Sequence, residues 1–248
     1  METKARVAIV TGAAKGIGRA IAISLAKNGV IPVIADIDHE NAKLAVEEIA
    51  QTGVAAVSYM VDVSSVEQIT RMVEDVAQQF GHIDILVNNA GVLSKASIEE
   101  LNETEWDRVM NINLKSAMFA SQQVLKHMVQ QGWGRIINIA SMAGRMGGFS
   151  TGCAYSTSKA AIIGMTMCIA RKVAKNNITV NAIAPGPTET ELVKGFTAEE
   201  LKNLEDSILV GRLGKPENIA ETVAFLASDA ASFITGAVID VNGGMFMG

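Results

Sequence analysis

The hydrophobic and polar positions of this chain follow two alternating patterns. Short runs such as RVAIVT at 6–11 are apolar almost without interruption, which is typical of strands buried on both faces. Between these runs, apolar residues recur three and four positions apart, as at Ala42, Ala45 and Ile49, and this spacing predicts amphipathic helices. Strands that alternate with helices from end to end indicate a parallel sheet with helices packed on both faces.

The pattern places these elements along the whole chain. The predicted strands are RVAIVT, VIAD, AAVSYMVD, IDILVNNAG, RIINIAS, ITVNAIAP and AVIDVNG. The predicted helices cover 17–28, 40–52, a segment beginning at 66, 104–131, 154–175, 198–208 and 217–228. We therefore expect an α/β fold, a Rossmann-type doubly wound sheet of seven parallel strands in three αβα layers, forming a single domain over residues 1–248. Residues 187–215 are less regular, and we expect a substrate loop or lid there.

The composition narrows the class of protein. The formal net charge of −5 argues against a nucleic-acid partner, because phosphate binding needs clustered lysine and arginine. No apolar stretch approaches the roughly 20 residues of a membrane span, and the apolar run VAIV behind the basic N-terminus is too short for a secretory signal. The cysteines, Cys153 and Cys168, have no metal-ligand spacing. We expect a cytoplasmic protein that binds no metal and no membrane.

A glycine-rich turn, TGAAKGIG at 11–18, joins the first strand to the first helix. Gly12, Gly16 and Gly18 would let the backbone turn tightly and approach a pyrophosphate at the positive N-terminus of the helix. The spacing differs from the common G-x-G-x-x-G fingerprint, and many turns of this kind carry glycine without binding phosphate. The position after the first strand of an alternating chain favours a dinucleotide site.

The choice of dinucleotide depends on two charges. Asp36 ends the second strand, where a carboxylate can hold the hydroxyls of the adenosine ribose, although a helix cap or turn is the alternative role. That carboxylate would repel the 2′-phosphate of NADP by about 1–4 kcal/mol at roughly 4 Å. Lys15 in the glycine loop has the opposite effect, because it could pair with the extra phosphate. We expect NAD, with NADP as the alternative.

Tyr155 and Lys159 in CAYSTSKAA, with Ser141 fourteen residues upstream, form a candidate catalytic group. In a helix, residues four apart lie on one face, so the lysine ammonium would lie near the phenol. That charge could lower the phenol pKa from about 10 by up to about three units, which suits a general acid/base. The alternative is a packed ring beside a solvated lysine.

Taken together, these motifs resemble those of the short-chain dehydrogenase/reductase family over essentially the whole chain. The resemblance rests on TGAAKGIG, NNAG at 88–91, Asn113 in MNINL, Ser141, YSTSK at 155–159 and PGPTET at 185–190. The bacterial oxoacyl-carrier-protein reductases and the sugar or polyol dehydrogenases are the most similar branches. One departure is the interval from Ser141 to Tyr155, which is one residue longer than in many members.

The resemblance implies a role for each motif residue. Tyr155 would act as general acid/base, Ser141 would hydrogen-bond the substrate oxygen, Lys159 would also hold the nicotinamide ribose, and Asn113 would lie at a helix kink whose carbonyl binds a water connected to Lys159. The nicotinamide cofactor would contact residues from every motif: Gly12, Lys15, Gly16, Ile17, Gly18, Asp36, Asp62, Val63, Asn89, Ala90, Gly91, Tyr155, Lys159, Pro185, Gly186, Thr188 and Thr190.

The substrate pocket should be formed by 92–95, 142–153 and 187–212. These segments supply mostly apolar side chains, with Arg145 and Glu191 as the charged candidates; the expected substrate contacts, besides Ser141 and Met146, are Leu93, Met142, Phe149 and Leu192.

Three functions are consistent with these residues. We expect an oxidoreductase that acts on a small secondary alcohol or ketone. An NADPH-dependent 3-oxoacyl-carrier-protein reductase is the alternative, and a nucleotide sensor without catalysis is disfavoured by the intact catalytic residues. The small substrate is preferred because carrier protein is acidic, and similar reductases have basic residues where this chain has QQGW at 130–133 and NN at 176–177.

A homotetramer is also expected. The helices over 104–131 and 154–175 carry more apolar surface than one sheet face can cover, in particular Met118, Phe119, Ile162, Ile163, Met165 and Met167. The family pairs these two helices across a two-fold axis, and the last strand would support a second interface.

Overall fold

A computed structural model describes residues 4–148, 151–190 and 197–248, and in these residues seven strands form one parallel sheet. The strands are β1 (Val7–Thr11), β2 (Ile31–Asp36), β3 (Val57–Met60), β4 (Ile85–Asn88), β5 (Gly134–Ile139), β6 (Ile178–Pro185) and β7 (Val238–Val241). Their order across the sheet is β3-β2-β1-β4-β5-β6-β7. All residues of β1, β4, β5 and β6 are buried, as their mainly apolar runs predict.

Helices cover both faces of this sheet. They are α1 (Gly16–Lys27), α2 (His39–Ala50), α3 (Val66–Phe80), α4 (Glu103–Met110), α5 (Ser116–Gln131), α6 (Ala143–Met146), α7 (Cys153–Val173), α8 (Ala198–Asp206) and α9 (Pro216–Ala227). One core lies between the sheet and α1, α2 and α9, and a second between the sheet and α3, α5 and α7. The expected three-layer, doubly wound α/β fold is confirmed.

The long helix expected over 104–131 contains an irregular turn. α4 and α5 are joined without a break by a π-helical segment, Asn111–Lys115. An extra residue in one turn rotates the following helix, and such segments are often found at functional sites. Asn113 lies in this segment, and the family resemblance implies a helix kink at this residue.

The sheet order reverses direction between β1 and β4, so the connections that leave these two strands diverge. A crevice forms at the carboxyl ends of parallel strands at such a switch point. The segments after β1, β2, β4, β5 and β6 all open into this crevice, and they contain the glycine turn, Asp36, NNAG, Ser141 and PGPTET.

Among the described residues, no helix is long and apolar enough to cross a membrane.

Candidate active site

A cavity of about 720 Å³ occupies the crevice at the carboxyl edge of the sheet. All seventeen residues expected to contact the cofactor line it. Ser141, Leu93 and Met142 line it as well, whereas Phe149 and Leu192 lie outside the described residues. The topology therefore brings together residues as far apart in the chain as Gly12 and Thr190, and their binding roles stay predictions.

The glycine turn after β1 has the tight geometry that its sequence predicts. Gly12 and Gly16 have φ angles of +64° and +55°, in the left-handed region that favours glycine. A side chain at Gly18 would place its Cβ only 2.2 Å from the Gly12 carbonyl oxygen. The Asn89 amide donates to the carbonyls of Thr11 and Gly12, at 2.9 Å each, and so ties the turn to β4. This shape fits a diphosphate approaching the start of α1.

Asp36 is held in a fixed orientation at the end of β2. One carboxylate oxygen accepts from the Ala14 backbone N–H and the other from that of Asp38, both at 2.9 Å. Asp38 itself accepts from the Asn41 N–H and so caps α2, which leaves Asp36 for the cavity. Asp36 therefore lines the cavity in a fixed orientation, and its contact with an adenosine ribose stays a prediction.

Lys15, whose positive charge could favour NADP where Asp36 disfavours it, pairs with a different carboxylate. Its Nζ lies 2.7 Å from Asp38 Oδ2. The hydrogen bond from Lys15, with those from Asn41, lowers the pKa of Asp38 to about 2. The two aspartates and one lysine at this corner carry a net negative charge, which is unfavourable for an additional phosphate.

Tyr155, on the first turn of α7, lines the cavity, and its phenol interacts with the Ser141 hydroxyl. Burial raises the pKa of Tyr155, and the hydrogen bond with Ser141 offsets only part of that effect. Ser141 Oγ also accepts from the Ala143 N–H at 3.1 Å, which fixes its position beside the phenol.

The expectation that Lys159 lowers the pKa of Tyr155 is wrong for this arrangement. Lys159 is 4% exposed, its Nζ lies 5.8 Å from the centre of the Tyr155 ring, and it donates to the Ile139 carbonyl at 2.8 Å. Burial also lowers the pKa of Lys159, to about 8. Because desolvation disfavours the charged form of both groups, it outweighs their mutual attraction.

Asn113 is buried behind the cavity, where it joins two walls of the site. Its side-chain oxygen accepts from the Val92 N–H at 2.8 Å, and its amide donates to the Val92 carbonyl at 3.1 Å and to Ser158 Oγ at 3.0 Å. Ser158 in turn donates to the Tyr155 carbonyl at 2.7 Å. Asn113 thus fixes the segment after β4 relative to the helix that carries Tyr155 and Lys159. The expected water on its backbone carbonyl stays a prediction.

The substrate side of the cavity differs in part from the expectation. Met146 and Arg145 are not among the lining residues. Arg145 pairs with Asp240 at 3.3 Å and lies 5.1 Å from the centre of the Phe246 ring. Glu191 lies outside the described residues.

Several other lining residues are not named individually by the sequence analysis, among them Lys95, Ile112, Leu204 and Met245. Lys95 falls within the expected wall segment 92–95. Leu204 lies on α8 and Met245 follows β7, and no motif or spacing marks either one.

No group of three or more histidine, cysteine, aspartate or glutamate side chains could hold a metal ion within the described residues.

Comparison with known proteins gives consistent matches over the full chain. A family model described as enoyl-(acyl carrier protein) reductase matches residues 12–246. A 3-oxoacyl-(acyl-carrier-protein) reductase of Thermotoga maritima is 38% identical over 245 residues, covering 99% of each chain. The protein of the same name from Aquifex aeolicus is 40% identical over 247 residues, again covering 99% of each chain. A crystal structure of a provisionally assigned short-chain alcohol dehydrogenase from Sinorhizobium meliloti superposes with a TM-score of 0.93 at 36% identity, covering 98% of this chain and 97% of the other.

Proposed function

Because this chain belongs to the short-chain dehydrogenase/reductase family of NAD(P)-dependent oxidoreductases, we propose a substrate class for it, a 3-oxoacyl thioester whose ketone is reduced to a hydroxyl. The main support is the 40% identity to the 3-oxoacyl-(acyl-carrier-protein) reductase of Aquifex aeolicus over 99% of the chain. The cavity also suits an acyl chain, because its substrate side is lined mainly by apolar residues such as Leu93, Ile112 and Met245.

The expectation of a small secondary alcohol has less support than this alternative. Its basis is that QQGW at 130–133 and NN at 176–177 lack the basic residues with which similar reductases dock a carrier protein, although Lys126, Lys172 and Lys175 lie nearby. Charges at the rim of an interface mainly change the association rate and the salt dependence. They therefore say less about which carbonyl compound reacts in the buried site than the full-length sequence similarity does.

Two side chains of the cavity, Tyr155 and Ser141, would interact with the ketone oxygen during the reduction. A bound reduced nicotinamide would supply the hydride to C3 of the substrate. Tyr155 Oη would donate a proton to the ketone oxygen, and Ser141 Oγ would donate a hydrogen bond to the same oxygen. The raised pKa of Tyr155 keeps that proton on the phenol near neutral pH, as a general acid requires.

Lys159 would take part through its position rather than by direct contact with the ketone. Its ammonium is buried next to Tyr155, and its pKa of about 8 lies close to neutral pH. A group with such a pKa exchanges protons readily with its surroundings. Lys159 would therefore help to restore the phenol proton after each turnover.

For the cofactor we propose NAD(H), with NADP(H) as the alternative. The support is the geometry at the end of β2, where Asp36 faces the cavity and Lys15 is paired with Asp38 at 2.7 Å. An enzyme that reduces oxoacyl thioesters with NADH would depart from the usual supply of biosynthetic reductant by NADPH.

We also propose a homotetramer. Met118 on α5 and Met167 on α7 are 39% and 43% exposed, so both helices present apolar surface to solvent in the single chain. Ile162, however, is 2% exposed and packs with Ala140 and Ala182, so it belongs to the core and not to an interface. Closing of residues 187–215 as a lid stays a prediction, and 191–196 lie outside the described part.

Steady-state reduction of acetoacetyl thioesters tests the substrate and the general acid together. We expect acetoacetyl-carrier protein to give a higher kcat/KM than a panel of diols, cyclic alcohols and sugar alcohols assayed in the oxidative direction. Tyr155→Phe should lower kcat at least about 100-fold, the usual weight of a general acid, while cofactor binding persists.

The chain provides a matched control for this variant. Its only other tyrosine, Tyr59, bonds to Asp75 outside the cavity, so Tyr59→Phe removes the same hydroxyl without affecting the site. A Tyr155→Phe enzyme with more than a tenth of the wild-type kcat would disprove the catalytic role. A clear preference for an alcohol of the panel would restore the small-substrate hypothesis.

A further inference from the structure

The charged residues that line the cavity are unevenly distributed. Among the described lining residues, Lys15, Asp36 and Asp62 lie where the dinucleotide is expected, and Lys159 is buried beside Tyr155. On the substrate side, Lys95 is the one charged residue of the described lining. It is exposed, so it lies at the mouth of the cavity and not at its base.

The backbone on either side of Lys95 contacts Gly152, the residue directly before α7, the helix that carries Tyr155 and Lys159. The Ser94 carbonyl accepts from the Gly152 N–H at 2.7 Å, directly before the first turn of α7. A side chain at Gly152 would place its Cβ 2.5 Å from the Ala96 carbonyl oxygen, so the two segments are in close contact. Lys95 therefore has a fixed attachment point relative to Tyr155.

This attachment sets the range of Lys95. Tyr155 follows Gly152 by three residues, which is about 5 Å along a helix. The Lys95 backbone is thus on the order of 10 Å from that of Tyr155, and the lysine side chain extends further toward solvent. An anion that lies further along the substrate than the ketone, toward the cavity mouth, would be within the range of this ammonium.

We propose that Lys95 binds the phosphate of a phosphopantetheine arm, whether the arm is carried by coenzyme A or by a carrier protein. This inference rests on the proposed thioester function and adds a recognition residue to it. The ketone would lie at Tyr155, the neutral pantetheine arm would follow the apolar wall, and the phosphate would meet the lysine at the mouth.

A carboxylate on α8 limits the strength of this contact. The Lys95 charge helps to lower the pKa of Glu200, although the main causes are the hydrogen bonds from the Thr197 backbone N–H and hydroxyl, at 2.7 and 2.9 Å. Glu200 is thus fixed as part of a helix cap, and its negative charge partly offsets the lysine. We therefore expect the phosphate to improve kcat/KM by about two- to fivefold, the range of an exposed charge pair.

The test compares two substrates that differ only in the phosphate, acetoacetyl-pantetheine and acetoacetyl-4′-phosphopantetheine. The readout is the ratio of their kcat/KM values within each enzyme, measured for wild type, Lys95→Met and Lys95→Glu. Lys202→Met is the matched control, because Lys202 is an exposed lysine of α8 that pairs with Asp206 and does not line the cavity. Thermal unfolding confirms that each variant is folded.

We expect the phosphate to be preferred by wild type and by Lys202→Met, to be neutral for Lys95→Met and to be unfavourable for Lys95→Glu. The effect should appear in KM and weaken with salt, because the contact binds substrate and transition state alike. Acetoacetyl-coenzyme A and acetoacetyl-carrier protein, assayed with the same enzymes, show which carrier uses the contact.

Two results would overturn the inference in different ways. An equal ratio in wild type and Lys95→Glu, with both thioesters reduced, would remove the role of Lys95 and leave the proposed function intact. Failure of wild type to reduce any of the thioesters would refute the proposed function, and the inference with it.

Discussion

Replacing Lys159 by methionine should make the protein more stable while it removes activity. Lys159 is buried, and burial lowers its pKa from 10.5 to about 8. One pKa unit corresponds to about 1.4 kcal/mol, so keeping the ammonium charged in the folded protein at neutral pH costs about 3 kcal/mol. Methionine has a similar length and carries no charge, so it avoids this cost.

One interaction acts against that gain. Lys159 Nζ donates to the Ile139 carbonyl at 2.8 Å, and this buried oxygen loses its lysine donor in the variant. A buried acceptor that loses its donor costs about 1–3 kcal/mol. We therefore expect Lys159→Met to raise the free energy of unfolding by up to about 2 kcal/mol at pH 7.5.

The pH dependence separates this explanation from better packing. The folded pKa lies below the unfolded value, so the unfolded chain holds more protons between about pH 8 and pH 10.5. The wild-type free energy of unfolding should gain about 2 kcal/mol from this group between pH 7.5 and 9.5, and Lys159→Met should lack that gain. The advantage of the variant should therefore shrink or reverse by pH 9.5.

Urea unfolding without cofactor, followed by tryptophan fluorescence at one protomer concentration, measures both quantities. Lys43→Met is the control, since Lys43 is an exposed lysine paired with Glu40 on α2. A Lys159→Met protein that is less stable than wild type at pH 7.5 would refute the reasoning. A stability difference that stays constant from pH 7.5 to 9.5 would refute it equally.

Two further predictions concern the cofactor and the assembly. Asp36→Ala should shift the ratio of kcat/KM for NADH over NADPH toward NADPH by at least about tenfold, because the variant removes repulsion of the 2′-phosphate; a wild-type preference for NADPH would show that Lys15 dominates instead. Light scattering at micromolar protomer concentration should give a tetramer, and replacing exposed Met118 and Met167 by glutamate should yield smaller species; a wild-type monomer would contradict this.

The central strands were predictable because the signal for a strand buried on both faces is local. The run ITVNAIAP coincides with all eight residues of β6, and RVAIVT contains all of β1. A helix of four residues carries no periodicity, so α6 could not be recognised. The π-helical turn at Asn111–Lys115 is invisible for a related reason, since the apolar spacing continues through it and the extra residue is accommodated by hydrogen bonding alone.

The composition of the site was predictable where a motif requires a particular backbone geometry. Gly18 has to be glycine because a Cβ would collide with the Gly12 carbonyl, and such a requirement leaves a visible pattern in the sequence. Met245 and Leu204 reach the cavity through the path of the chain after β7 and through the placement of α8. The backbone at these two positions does not require a particular residue type. Nothing in the neighbouring sequence therefore distinguishes them from other apolar residues.

The protonation state of the catalytic pair could not be predicted from spacing, and it has a consequence for the direction of the reaction. Residues four apart on a helix suggest attraction between an ammonium and a phenolate, but burial raises the pKa of Tyr155 and lowers that of Lys159. Both shifts oppose charge in the site, so the phenol retains its proton at neutral pH. A protonated Tyr155 is ready to donate to a ketone, whereas oxidation of an alcohol would need an additional positive charge nearby to draw that proton away. In the cofactor-free protein, the electrostatics of the site therefore hold Tyr155 in the protonated form that can donate to a ketone.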